Sequence, residues 1–189
     1  EYPAYGHTDY RIPAYEVRLE DGTTTTELFY KSHEIQQGKP ALTGLPASYA
    51  GDAEAETLLI QLEDSQGKLA VCLSYTVFAE ANVIARSVRI ENSGTEALDL
   101  MNAASFALDL PDHDYDRINL WGGHALERQL ERVPLMHGIE ESASRRGASS
   151  HQMSPFLALM RKDAGETQGD VYGLSLIHIS EPTRLRRIS

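Results

Sequence analysis

Apolar and polar residues alternate along much of the chain, and this period of two is the spacing at which an extended strand turns its side chains to opposite faces. The longest run is 69–77, where bulky apolar residues alternate with alanine, cysteine, serine and threonine. Other runs are shorter and have the same period. Together they predict strands near 13–20, 25–35, 56–63, 68–78, 82–91 and 155–161, and the start of another at 171–173.

Short sequences typical of turns separate the predicted strands. Ser65-Gln66-Gly67 and Asn92-Ser93-Gly94 each follow one of the runs, and Asp21-Gly22 is a dipeptide that commonly joins the strands of a hairpin. We therefore predict that the strand near 13–20 forms a hairpin with the strand near 25–35. Many short strands separated by turns indicate an all-β fold, namely an antiparallel β-sandwich.

The composition limits the kind of partner. The chain has 189 residues, which suits one domain, and a formal net charge of −11 at pH 7. A surface this acidic repels the phosphates of nucleic acids. The sequence also has neither a basic cluster that anionic lipids would attract nor an apolar run long enough to span a bilayer. We therefore expect no nucleic-acid partner and no membrane contact.

Four stretches of mixed chemistry occur in order along the chain, and the last of them, at 145–152, follows no strand or helix period. Each contains charged residues together with glycine or proline, in arrangements that packing alone does not require. They are EYPAYGHTDYR at 1–11, GKP at 38–40 leading into GLPA at 44–47, LPDHDYD at 110–116, and RRGASSHQ at 145–152 followed by Pro155-Phe156. With these motifs the chain resembles, up to about Gly173, the N-terminal domain of bacterial α-galactosidases of glycoside hydrolase family 36.

The resemblance implies both a fold and an activity. Members of this family are retaining exo-α-galactosidases, which remove terminal α-linked galactose from melibiose, raffinose and related oligosaccharides. Their N-terminal domain is a large antiparallel β-sandwich, or supersandwich, that precedes a catalytic (β/α)₈ barrel. Two aspartates of that barrel carry the reaction, one as nucleophile and one as acid and base. No segment of this chain matches the nucleophile motif of the barrel, so the resemblance assigns no catalytic residue here.

The same resemblance implies partners and a location. It implies a galactosyl oligosaccharide bound through the barrel, no cofactor, a homo-oligomer in the full-length protein, and a bacterial cytoplasmic location. A free-standing carbohydrate-binding or scaffolding module is the alternative that the sandwich pattern alone leaves open.

The last sixteen residues have a different origin in our interpretation. Residues 174–189 resemble the translation of a common transposase sequencing adapter, with a three-codon sample index at Leu185-Arg186-Arg187. We therefore predict a partial domain over 1–173 and a non-native tail over 174–189, which we exclude from the reasoning about the fold. Because Glu1 is not an initiator methionine, we also expect the chain to start inside a gene.

One segment has a helical rather than a strand period. Leu126, Leu130 and Val133 are spaced i, i+4, i+7 among charged residues, which favours an amphipathic helix between Gly122-Gly123 and Pro134. The family resemblance favours a strand instead, because the equivalent segment belongs to a sheet. We predict a strand.

Four residues are candidates for contact with a sugar. His7, Asp9 and Arg11 alternate, so an extended backbone presents all three on one face. There they either hold a sugar hydroxyl or form an ion-paired network, and the network is the interpretation that we favour. Trp121 lies beside two glycines and is either a stacking platform for a sugar ring or an interior side chain with a bonded indole N–H. We favour the interior position.

Two further groups of polar residues have structural interpretations. Arg145, Arg146 and His151 are predicted to lie at a domain or subunit contact, because arginine forks bind carboxylates and carbonyls well. The acidic run at 109–116 has enough oxygen donors for a cation, but it lacks the glycine and the terminal glutamate of a calcium loop. We predict a solvated acidic loop and no metal site.

Overall fold

The described residues of the computed structural model form strands and connecting segments, with no helix among them. They are residues 2–6, 12–42, 48–112, 114–143, 150, 152–175 and, as backbone only, 186–188. In chain order the strands are β1 (Tyr15–Arg18), β2 (Leu28–Gln37), β3 (Glu56–Asp64), β4 (Leu69–Phe78), β5 (Val83–Asn92), β6 (Leu98–Ala103), β7 (Tyr115–Gly123), β8 (Leu126–Pro134), β9 (Met153–Arg161), β10 (Val171–Ser175) and β11 (Arg186–Ile188). These residues therefore include no helix that is long and apolar enough to cross a membrane.

The chain divides into two compact units, one formed by Glu1–Asp109 with Thr183–Ser189 and the other by Leu110–Pro182. The first unit contains a four-stranded sheet in the order β2-β3-β4-β5 and a smaller sheet in the order β1-β6-β11. The second unit contains a four-stranded sheet in the order β10-β9-β7-β8. Neighbouring strands pair antiparallel in all three sheets. The all-β, antiparallel prediction is confirmed, and the six predicted strands form with ends shifted by a few residues.

Side chains of the two sheets in the first unit share one apolar core. Leu69, Val71 and Leu73 of β4 are at most 5% exposed, because the period of two turns all three to the same face. Val17 of β1 and Leu98 of β6 are 0% and 2% exposed and belong to the same cluster. Full burial of one such side chain stabilises a fold by roughly 1.5–3 kcal/mol. The alternation read from the sequence is therefore what holds the predicted sandwich together.

The turn at Asp21-Gly22 forms, but the predicted hairpin is wrong. The Gly22 N–H donates to the Leu19 carbonyl at 3.0 Å, and Gly22 has a φ of 84°, which glycine adopts at little cost. The flanking strands do not pair with each other, since β1 pairs with β6 and β2 pairs with β3. The turn passes the chain from one sheet to the other because pairing with β6 buries Tyr15 and Val17, and that burial outweighs the local turn preference.

The segment with helical spacing is strand β8, as predicted. It pairs with β7, and an extra residue near Arg128, whose φ is 56°, forms a bulge. Leu126 lies opposite Gly123 and Leu130 lies opposite Leu120, so the two leucines face opposite sides of the sheet. The spacing of four thus arises from a bulged strand and not from one apolar stripe of a helix.

Candidate functional site

Most of the predicted site residues lie outside the described part of the chain. These are the possible sugar contacts His7, Asp9 and Arg11 and the interface candidates Arg145, Arg146 and His151. Their roles remain predictions. Trp121 and the aspartates of the acidic run at 109–116 are described, so their surroundings can be compared with the expectations.

Trp121 lies near the end of β7, in the sheet of the second unit. It is 49% exposed, so it is not the interior residue that we favoured from the sequence. It stands opposite Gln129 of β8 and Met153 of β9. Two positions earlier on the same face of β7, the Asn119 amide donates to the Ser142 hydroxyl at 2.9 Å. The exposed indole ring offers an apolar surface on which a sugar ring can stack, whereas Asn119 is 5% exposed and its amide is already bonded to Ser142.

The acidic run is anchored by cations at the end of β9. Asp112 accepts two hydrogen bonds from the Arg161 guanidinium, at 2.8 and 3.1 Å, and Asp114 pairs with Lys162 at 2.7 Å. The hydrogen bond to Asp112 is the main cause that raises the pKa of Arg161. Arg161 also lies over the Tyr115 ring, with its guanidinium carbon 4.3 Å from the ring centroid. No group of histidine, cysteine, aspartate and glutamate among the described residues is arranged to hold a metal ion.

Asp116 is the most buried aspartate described in the acidic run. It is 8% exposed, so the prediction of a solvated loop is wrong at this position. Arg132 Nε donates to its carboxylate at 2.6 Å. The same guanidinium donates to the carbonyl oxygens of Lys162 at 3.1 Å and Arg161 at 3.4 Å. One arginine on the edge strand β8 therefore holds both β7 and the end of β9.

Replacing Asp116 by alanine is expected to lower the free energy of unfolding by about 3 kcal/mol, because the partly buried Arg132 guanidinium loses its carboxylate. Urea denaturation followed by the fluorescence of Trp121, the single tryptophan, measures this loss. Asp114→Ala is the matched control, since Asp114 and Lys162 are 62% and 52% exposed and such a pair contributes at most about 1 kcal/mol. Equal losses in the two variants would contradict the role of burial.

One cation of the first unit has an aromatic environment. The guanidinium carbon of Arg86 lies 4.8 Å from the ring centroid of Tyr75, 5.4 Å from that of Phe106 and 5.6 Å from that of Tyr2. Its Nη1 donates to the Ala107 carbonyl at 2.9 Å, whereas Nε and Nη2 are buried with no hydrogen-bond partner among the described residues. Attraction between a desolvated cation and an aromatic face reaches roughly 2 kcal/mol. Arg86 of β5 therefore connects the larger sheet to the loop after β6, through Phe106 and Ala107.

The same cluster shifts the pKa of the Tyr2 hydroxyl. Burial raises the pKa of Tyr2 to about 12, and the positive charge of Arg86 opposes this shift. The Tyr2 hydroxyl donates to the Ala104 carbonyl at 2.8 Å. Because the phenol stays neutral at physiological pH, it serves as a fixed hydrogen-bond donor to the loop after β6.

Comparisons with known proteins identify the family of this chain. The family model described as the glycosyl hydrolase family 36 N-terminal domain matches residues 1–178. The alpha-galactosidase AgaA of Geobacillus stearothermophilus is 54% identical over 179 residues, which are 94% of this chain and 25% of that protein. The alpha-galactosidase Mel36A of Lactobacillus acidophilus is 44% identical over 94% of this chain and 24% of its own length.

Solved structures agree with the sequence matches. The crystal structure of AgaA from G. stearothermophilus has a TM-score of 0.88 at 54% identity, over 91% of this chain and 24% of that chain, and AgaA variants have been crystallised with raffinose and with stachyose. The alpha-galactosidase from Lactobacillus brevis has a TM-score of 0.91 at 38% identity, over 94% and 24%. The chain spans about a quarter of the length of these relatives. It belongs to the family of glycosyl hydrolase family 36 N-terminal domains.

Proposed function

We propose that the chain is the N-terminal, non-catalytic part of a retaining α-galactosidase. The observation that carries this proposal is the 54% identity to an alpha-galactosidase across 94% of the chain. The relatives crystallised with raffinose and stachyose support galactosyl oligosaccharides as the substrates of the whole protein. The reaction removes a terminal α-linked galactose and leaves the shortened oligosaccharide.

The proposed reaction needs two carboxyl groups about 5–5.5 Å apart, one acting as nucleophile and the other as acid and base. Asp112 and Asp114 are unsuited to both roles, because Arg161 and Lys162 bind their oxygens. We therefore place both catalytic aspartates and the oligosaccharide in the barrel of the whole protein, with no cofactor. This chain supplies the sandwich domain.

Several contacts of the whole protein are part of the same proposal. Trp121 is the described candidate for stacking on a sugar ring, because it is exposed. The full-length protein is proposed to be a homo-oligomer of the bacterial cytoplasm, since the family resemblance implies both. We place three residues at a domain or subunit contact: Arg145, Arg146 and His151.

Expression of the whole gene product tests the proposed activity. We expect it to release galactose from melibiose and raffinose, measured by a coupled galactose assay with the purified protein. A matched β-galactoside is the control and should not be cleaved, because the catalytic groups are arranged around one anomeric configuration. A whole gene product that binds these sugars without cleaving them would contradict the proposal and favour the carbohydrate-binding module instead.

The boundary of the native domain is also a proposal. We propose that the domain occupies 1–173 and that 174–189 are not native to it. Deleting 174–189 is expected to change the free energy of unfolding by no more than about 0.5 kcal/mol, as a surface change does, because these side chains were never selected to fit this core. Urea denaturation of the two chains measures the difference. A loss of several kcal/mol would show that the pairing of β11 with β6 is a native contact.

A further inference from the structure

Asp21-Gly22 is the single Asp-Gly sequence of the chain, which contains no Asn-Gly. Glycine after aspartate favours a particular reaction, because no side chain shields the glycine nitrogen from the neighbouring carboxyl group. All three residues of Asp21-Gly22-Thr23 are exposed, and a Cβ on Gly22 would meet no atom within 4 Å. The chemical requirements for self-modification are therefore present at this turn.

The reaction is an intramolecular condensation. The backbone nitrogen of Gly22 attacks the carboxyl carbon of Asp21, a C–N bond forms, and one water molecule leaves with the carboxyl oxygen. Hydrolysis of the cyclic imide returns the water at either carbonyl, so the product is aspartate or isoaspartate. Isoaspartate carries one additional methylene group in the backbone. Nothing other than water takes part.

Hydrogen bonds hold both reacting groups in the folded turn. The backbone N–H and the hydroxyl of Thr23 both donate to Oδ1 of Asp21, at 2.9 and 2.7 Å. The attacking nitrogen is also engaged, since the Gly22 N–H donates to the Leu19 carbonyl at 3.0 Å. The Leu19 N–H donates to the Thr23 carbonyl at 2.8 Å, which closes the turn from the other side. The carboxylate is drawn towards Thr23 while the nucleophile is directed at Leu19.

The same bonds keep Asp21 ionised. The hydrogen bond from the Thr23 hydroxyl is the main cause that lowers the pKa of this carboxyl group. An ionised carboxylate is a poor electrophile, because its oxygen leaves as water only after protonation. The electrostatic effect therefore acts in the same direction as the geometry.

We propose that Asp21 is the site of isoaspartate formation in this chain and that the Thr23 side chain restrains the reaction in the folded state. Isoaspartate at Asp21 is expected to alter the turn between β1 and β2. This turn connects β1 of the smaller sheet to β2 of the larger sheet, so an additional backbone methylene disrupts the two hydrogen bonds between Leu19 and the residues that follow it.

Peptide mapping after prolonged incubation near neutral pH tests the proposal. Trypsin releases the peptide 19–31, in which isoaspartate is resolved by chromatography and electron-transfer fragmentation. Thr23→Val, which removes only the hydroxyl donor, is expected to accumulate isoaspartate several-fold faster than the original chain. Thr23→Ser keeps the donor and should retain the original rate. Thr25→Val is the matched control, because Thr25 is an exposed threonine of the same loop.

The unfolded chain provides the upper limit of the rate. In concentrated urea all of these variants should modify Asp21 at one common, faster rate, because the turn is absent. Equal rates for the folded original chain and Thr23→Val would overturn the restraint by Thr23. Faster accumulation of isoaspartate at another position of the folded Thr23→Val chain would overturn the assignment to Asp21.

Discussion

Replacing Tyr15 by alanine is expected to lower the free energy of unfolding by roughly 3–5 kcal/mol, the range for an aromatic residue removed from a core. Tyr15 is 0% exposed, its ring stacks on that of Tyr2 with centroids 5.6 Å apart, and its hydroxyl accepts a hydrogen bond from Thr26 at 3.0 Å. Small domains are stable by only about 5–15 kcal/mol in total. A large part of the folded population is therefore lost at elevated temperature.

Tyr49→Ala is the matched control for Tyr15→Ala. Tyr49 is 88% exposed, so its replacement should change the free energy of unfolding by no more than about 0.5 kcal/mol. Tyr15→Phe separates packing from hydrogen bonding, because it keeps the ring and removes the contact with Thr26, at an expected cost of about 1 kcal/mol. Urea denaturation gives all three values. Similar losses for Tyr15→Ala and Tyr49→Ala would mean that β1 does not lie in the core.

The strands could be predicted from the sequence because their signal is local. In β4, the buried apolar residues Leu69, Val71 and Leu73 are each separated by one residue, and this alternation is visible in the sequence itself. Strand β8 is harder to predict from the sequence, because its bulge at Arg128 leaves Leu126 and Leu130 at the spacing typical of a helix. There the family resemblance, and not the periodicity, gave the correct strand.

The assignment of strands to sheets could not be predicted from local patterns. The turn at Asp21-Gly22 suits a hairpin, yet β1 pairs with β6, and Val17 lies opposite Leu100. A pairing of this kind depends on which partner buries most apolar surface, and residues far apart in the sequence decide it. The local turn signal is correct about the backbone and carries no information about the partner strand.

The polar clusters were missed for a similar reason. Asp112 and Arg161 are 49 positions apart in the sequence. Arg86 lies over the rings of Tyr2, near the start of the chain, and Phe106, which follows β6. No spacing rule connects such residues, so the sequence predicts a solvated acidic loop and gives no sign that Asp116 is buried against Arg132. The family motifs predicted the fold and the family. They did not identify a site in the described residues, because six of the residues proposed for sugar binding or for a domain or subunit contact lie outside that part of the chain, namely His7, Asp9, Arg11, Arg145, Arg146 and His151.

The purified chain is expected to show no α-galactosidase activity. Retaining hydrolysis requires two carboxyl groups on either side of one glycosidic bond, a nucleophile and a second group that acts first as acid and then as base. The family resemblance places both groups in the barrel. Trp121 offers at most a stacking surface, and binding groups alone do not stabilise an oxocarbenium-like transition state. We therefore expect the purified chain to have none of the α-galactosidase activity of the whole gene product. This is the largest of the expected effects.

Hydrolysis of a chromogenic α-galactoside by the purified chain tests the central claim most directly. The chain should be produced in a host without its own α-galactosidase, and a preparation of the Tyr15→Ala variant serves as the matched blank. The original chain is expected to release no more chromophore than this blank. Sustained turnover that depends on the concentration of the folded chain would contradict the claim that this is a non-catalytic sandwich domain.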